Sequence, residues 1–130
     1  MCAVADGIPG SPDNQLAPCP SRPNCVCSHA TLSRHAIAPL LVPESLEDPF
    51  GQLAQLMRDW PRARLVTQTA NYLHVEVRTA LFRFVDDVEF YWNATTALIH
   101  IRSASRLGYS DLGTNRRRLE RIRHQFQRLG

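Results

Sequence analysis

The 130-residue chain contains no lysine: its fifteen basic residues are all arginine, against twelve acidic ones, for a formal net charge of +3. So small an excess is too modest to announce a polyanion partner. Arginine throughout means that cationic contacts are made by forked guanidiniums suited to bidentate anion binding, although a biased genome would give the same composition. Long apolar runs are absent too, and none approaches the ~20 residues that a helical membrane span needs. Beyond residue 27 there is no cysteine, so the body of the chain has neither disulfides nor a thiolate metal cage. GxSxG, HExxH and phosphate-loop signatures are also missing, which leaves hydrolase chemistry without specific support. What the chain does have is 44% hydrophobic residues, enough to bury one core in a single domain of this length.

The opening, MCAVADGIPGSPDNQLAPCPSRPNC, is rich in Pro, Gly, Asp and Asn and follows neither helical nor strand period. Residues 1–30 are therefore predicted as an irregular tether and cysteine loop, ahead of one α+β domain over 31–130. Cys2, Cys19, Cys25 and Cys27 can pair in three ways when fully oxidised. Spacing around Pro20 and Pro23 predicts a Cys19–Cys25 disulfide with Cys27 outside the core, and hence an oxidising compartment. Cys19, Cys25, Cys27 and His29 also make up a zinc ligand set, but CxC and CxH spacings leave little slack for a tetrahedron. Neither a metal nor another cofactor is predicted.

The body of the chain is periodic. Phe50, Leu53, Leu56, Met57 and Trp60 recur at helical spacing after Asp48 and Pro49, and Pro61 ends the run. YLHVEVR then alternates, with Leu73, Val75 and Val77 inward and Tyr72, His74, Glu76 and Arg78 outward. ARLVTQTA before it reads as a hairpin partner. In FRFVDDVEFYW, Phe82, Phe84, Asp86, Val88, Phe90 and Trp92 share one face, and Arg83, Asp87, Glu89 and Tyr91 the other. ALIHIRS sets Ile99 and Ile101 against His100 and Arg102. Leu112, Leu119, Ile122, Phe126 and Leu129 mark a final helix with Asp111 as its N-cap, and Arg116, Arg117, Arg118, Arg121 and Arg123 fall on its polar side. The expected fold is an α+β two-layer sandwich, a four-stranded antiparallel meander with one helix before it and one after.

In LAPCPSRPNCVCS, FVDDVEFYW and RSASRLGYSDLGTNRRRLERIR, taken in that order, the chain resembles the bacterial and plastid family called domain of unknown function 1499. The resemblance spans roughly Leu16 to Phe126. It is most specific at Pro23-Asn24-Cys25, at Asp86 to Phe90, and at Arg102 to Arg106 followed by Gly108, Ser110, Asp111, Gly113, Asn115 and Arg118. Family members often carry a signal peptide or lipoprotein signal, which implies Cys2 as a lipidation point if the precursor is longer. The protein would then sit in the cell envelope or periplasm; a chain complete as it stands would be cytoplasmic. Members commonly have Ser where this chain has Cys27, which argues against a family-wide metal site. The resemblance implies no activity.

Arg102 to Arg118 brings guanidiniums, hydroxyls and a helix start into one loop, an arrangement that can receive a phosphate or carboxylate. The expected ligand-binding residues are Arg102, Ser103, Ser105, Arg106, Tyr109, Ser110, Asn115 and Arg116. Asp86, Asp87 and Asp111 are expected to serve a structural charge network, with Asp86 and Asp87 joined to Arg102 and Arg106. The reading is a small envelope-associated binding or accessory module for an anionic small molecule or an acidic protein surface, touching the membrane only through a lipid anchor. Two alternatives stay open. His74, Asp87, Glu89 and His100 share a polar sheet face that a hydrolase-like enzyme could use, although such rows are more often solvated cross-strand pairs. Nucleic-acid binding by the last helix would need a cytoplasmic protein, and no stacking aromatic lies among those arginines.

Overall fold

Side-chain alternation places the strands, and the computed structural model describes residues 16–108 and 110–130. In chain order these form β1 (Cys25–Cys27), β2 (Leu40–Leu41), α1 (Pro49–Arg58), β3 (Ala63–Gln68), β4 (Tyr72–Arg78), β5 (Val85–Asn93), β6 (Leu98–Ser105) and α2 (Thr114–Gln127). The fold is α+β. Its sheet has six strands rather than four, in the order β1-β6-β5-β4-β3, all paired antiparallel. The short β2 joins the edge of β6 beyond β1. β1 and β2 are too short for alternation to show in sequence, so β1 lies inside the segment expected to be irregular. No helix among the described residues is long and apolar enough to cross a membrane.

Both helices cover one face of the sheet. Phe50, Leu53, Ala54 and Met57 of α1 and Leu119, Ile122 and Phe126 of α2 pack on Leu73, Val75, Val77, Val88, Phe90, Ile99 and Ile101. Burying a side chain of this size contributes roughly 1.5–3 kcal/mol. Asp48 caps α1 by accepting from the Gly51 N–H. α2 begins at Thr114, not Asp111, because Gly113 takes a left-handed φ of 83° and closes the turn; the Asp111 carboxylate nevertheless accepts from the Gly113 and Asn115 N–H groups. Leu112 and Leu129, expected inward, are exposed, since each lies outside the helix that would have turned it to the core.

The opposite sheet face is partly covered as well. Leu16, Cys27 and Tyr72 are buried there, with Cys19, Ala30 and Tyr91 packed around them. Cys27 is thus buried, contrary to expectation: strand parity turns Val26 toward the helices and Cys25 and Cys27 toward this second cluster. Cys19 and Cys25 form the disulfide, with Cα atoms 5.6 Å apart. It fastens the segment from Leu16 onward to β1. Cys2 and Tyr109 lie outside the described residues.

The bridge closes a ring of only a few residues, for which the chain-entropy gain is about 2 kcal/mol. A Cys19→Ser variant is therefore expected to lose about 2 kcal/mol in urea unfolding. An unchanged unfolding midpoint would contradict this role.

Candidate functional site

The inward stripe of the sheet is apolar along most of its length and turns polar at one end. On β6, Ile99 and Ile101 give way to Ser103 and Ser105; on β5, Phe90 and Val88 give way to Asp86. α2 answers with Asn115 and Arg118 on its buried face. The position of Arg118 corrects its assignment to the polar side: it stands four residues before Ile122 and three after Asn115, the same stripe that carries the apolar residues. Arg118 donates to Asp86 Oδ2 at 2.6 Å, to Asn115 Oδ1 at 2.8 Å and to Ser103 Oγ at 3.2 Å. Burial pushes the Asp86 carboxyl up despite the Arg118 contact.

Asn115 is the joint of this end. Its Oδ1 accepts from Ser103 Oγ, while its Nδ2 faces Asn24 O, Ser105 Oγ and Asp111 Oδ2 at 2.6–3.1 Å. Asn24 in turn donates to Gly108 O, and the Asp111 N–H reaches Pro23 O. The loop between β6 and α2 is thereby tied to the residues just before β1. Ser110 accepts from the Leu112 N–H.

The four residues expected to share one network divide between the two faces of the sheet. Asp86 points to α2, whereas Asp87, its neighbour, points the other way and is held by His74 Nε2 at 2.8 Å and by Arg106 at 2.8 Å. Arg106 also donates to Glu76, which receives Arg64. Burial alone would raise the Asp87 carboxyl, but hydrogen bonds from His74 and Arg106 outweigh it and hold it below the usual range. Hydrogen bonds from Arg106 and Arg64 lower Glu76 similarly, and its carboxylate partners raise Arg106. Arg102 belongs to a third set: it pairs with Glu89 Oε1 at 3.1 Å and donates to Pro18 O, while Tyr72 Oη donates to Glu89 Oε2. Strand parity, legible in the sequence, already forbids Asp86 and Arg102 from meeting.

The polar-face residues considered for an enzyme are each engaged. His74 is paired with Asp87; Glu89, 1% exposed, lies beneath Tyr72 and the Pro18 segment. His100 Nδ1 is 3.0 Å from Ser28 Oγ, which also accepts from the Ile101 N–H at 2.8 Å. His29 stacks on the same ring with centroids 3.8 Å apart. Nothing in the sequence marks Ser28 and His29 as partners of His100, because their contact depends on β1 lying beside β6. With Cys19 and Cys25 joined in a disulfide, the zinc set loses two of its thiolates.

A family model described as protein of unknown function (DUF1499) matches residues 15–126. The chain belongs to this family. No curated protein and no solved structure matches it. The span matched by the DUF1499 model takes in the Asp86–Arg118–Asn115 cluster, the loop that follows β6 and the disulfide.

Desolvation, with the nearby His29 ring, lowers His100 to about 4, and burial lowers His29 as well. A base with a depressed folded pKa stays neutral in the folded state while the unfolded chain takes up its proton. This DUF1499 protein should therefore lose stability as pH falls from about 6.5 toward about 4. Glu76 and Asp87 extend the loss below the carboxylate range, and Asp86, shifted the other way, opposes it. In urea titrations across that window, His100→Gln should show a flatter slope than the wild type; equal slopes would refute this assignment.

Proposed function

We propose that this protein is a small binding or accessory module of the cell envelope that takes an anionic group, free or on an acidic partner, at the Arg102–Arg118 loop. One observation carries the reading: the cations around the loop are sorted. Arg102, Arg106 and Arg118 each hold carboxylates. Arg116 instead donates only to the carbonyl oxygens of Ala36 and Arg34. A carbonyl takes up N–H groups without cancelling the charge, so Arg116 remains a net cation. With Arg34 it lines a cavity of about 200 Å3, bounded also by Pro23, Ser110, Asp111 and Gly113. Asp111 subtracts from the positive field there, but its oxygens already receive the Gly113 and Asn115 N–H groups. The contacts to an anion are accordingly assigned to Arg116 and Arg34, with Ser110 as hydroxyl partner, rather than to Arg106.

The Cys19–Cys25 disulfide supports an oxidising compartment, and no described cysteine is free. A lipid anchor at Cys2 would supply the membrane contact. Against the nucleic-acid alternative, Arg123 of α2 is paired with Glu120 and no stacking aromatic lies among the arginines of that helix.

Titration with inorganic phosphate, followed by amide NMR, tests the site. Saturable shifts should centre on Ser110, Gly113 and Arg116. Arg34→Ala, at an exposed side chain hydrogen-bonded to His35, should weaken binding about ten-fold, the loss of one charge-assisted contact. Arg106→Ala should leave binding intact. No saturation by the folded wild type, or an equal loss in both variants, would overturn the proposal.

A further inference from the structure

A second cavity lies on the other side of the Ser110–Asp111 turn. There the β4–β5 turn meets the loop after β6, and Leu81, Phe82, Phe84, Leu107 and Leu112 all stand exposed, Phe82 by 68% and Leu107 by 67%. The expectation that Phe82 and Phe84 pack inward fails because β5 begins only at Val85. They stack on each other instead, with centroids 5.5 Å apart, above a turn closed by Thr79 and Phe84. A cluster of this kind, at one end of a small protein, marks an interaction site rather than scattered surface residues.

Phe82, Phe84, Leu107 and Leu112 wall a cavity of about 300 Å3, the lower end of the range for small-molecule sites. Its deepest lining residue is Asp86, which is 1% exposed. Arg118 occupies Oδ2, but Oδ1 is buried and receives no hydrogen bond. Ser105, the register partner of Asp86, also lines the cavity; it lies near enough to favour the charged carboxylate without closing a hydrogen bond to Oδ1. An unsatisfied buried acceptor costs on the order of 1–3 kcal/mol, a penalty that a donor entering from the cavity would relieve.

The geometry points to this cavity as a binding site for a neutral small molecule, whose aromatic or alkyl body packs between Phe82, Phe84, Leu107 and Leu112 and whose hydroxyl or amide donor reaches Asp86 Oδ1. An anion is disfavoured because it would meet both Asp86 and Asp111. Arg118 already compensates Asp86, so what Oδ1 lacks is a hydrogen-bond donor rather than a charge, which a neutral hydroxyl or amide supplies. A bilayer is the poorer occupant, since a flat apolar contact has no use for a buried acceptor below the rim. This site is separate from the anion cleft and does not rest on it.

The test uses 2-naphthol, 2-methoxynaphthalene as the analogue without a donor, and phosphatidylglycerol vesicles, with the oxidised protein. Wild type should bind 2-naphthol saturably and the methoxy analogue about ten-fold more weakly. Phe82→Ala and Leu107→Ser, both at exposed side chains, should each reduce naphthol affinity about ten-fold while leaving the unfolding midpoint in place. Arg34→Ala should have no effect. The proposal is overturned by a flat naphthol titration of the folded wild type or by equal affinity for the two naphthalenes. It is equally overturned if vesicles bind in a Phe82-dependent manner while naphthol does not.

Discussion

The Arg118–Asp86 ion pair joins α2 to the sheet at the end of the core where apolar packing stops. Removing both charges from water is expensive, and the pair is made tolerable by Ser103 and Asn115, which accept two further guanidinium hydrogens. Asn115 then passes the constraint outward, to Asn24 before β1, to Ser105 on β6 and to Asp111 in the turn before α2. One buried polar cluster thereby positions three segments remote in sequence. The two cavities flanking the Ser110–Asp111 turn take their shape from that anchoring.

A chain without lysine uses the fork of arginine in several distinct ways. Arg118 and Arg102 are buried against carboxylates, Arg106 bridges Asp87 and Glu76 at the surface, and Arg116 and Arg123 clamp the carbonyls of residues 34–39 onto α2. A lysine has no planar fork with which to span two acceptors at once. The sorting matters for function because it separates arginines already neutralised from those that still carry field into solvent. Charge counting along the sequence cannot make that separation, since the partners are carbonyls and carboxylates from elsewhere in the fold.

Much of the architecture was legible in the chain. Alternation in Tyr72–Arg78 and helical spacing from Phe50 to Met57 are visible because each face of those elements meets one environment. β1 and β2 were not, for two or three residues show no period, and with β1 went the cover over the second sheet face and the burial of Cys27 and Glu89. Phe82 and Phe84 misled for the opposite reason: their alternation continues that of β5 although the chain there is a turn. At the candidate site the crowding of arginines and hydroxyls between the end of β6 and the start of α2 is visible in the sequence, but their partners are not. The parity of Asp86 and Arg102 and the position of Arg118 in the helical stripe were nevertheless available to separate them.

The central claim, that Asp86–Arg118 is the anchor and Asp87–Arg106 a surface contact, is tested most directly by a pair of double-mutant cycles to alanine on unfolding free energy. The buried pair should show a coupling above about 2 kcal/mol, and the half-exposed pair one below about 1 kcal/mol. Equal couplings, or a value under about 1 kcal/mol for Asp86 with Arg118, would contradict it.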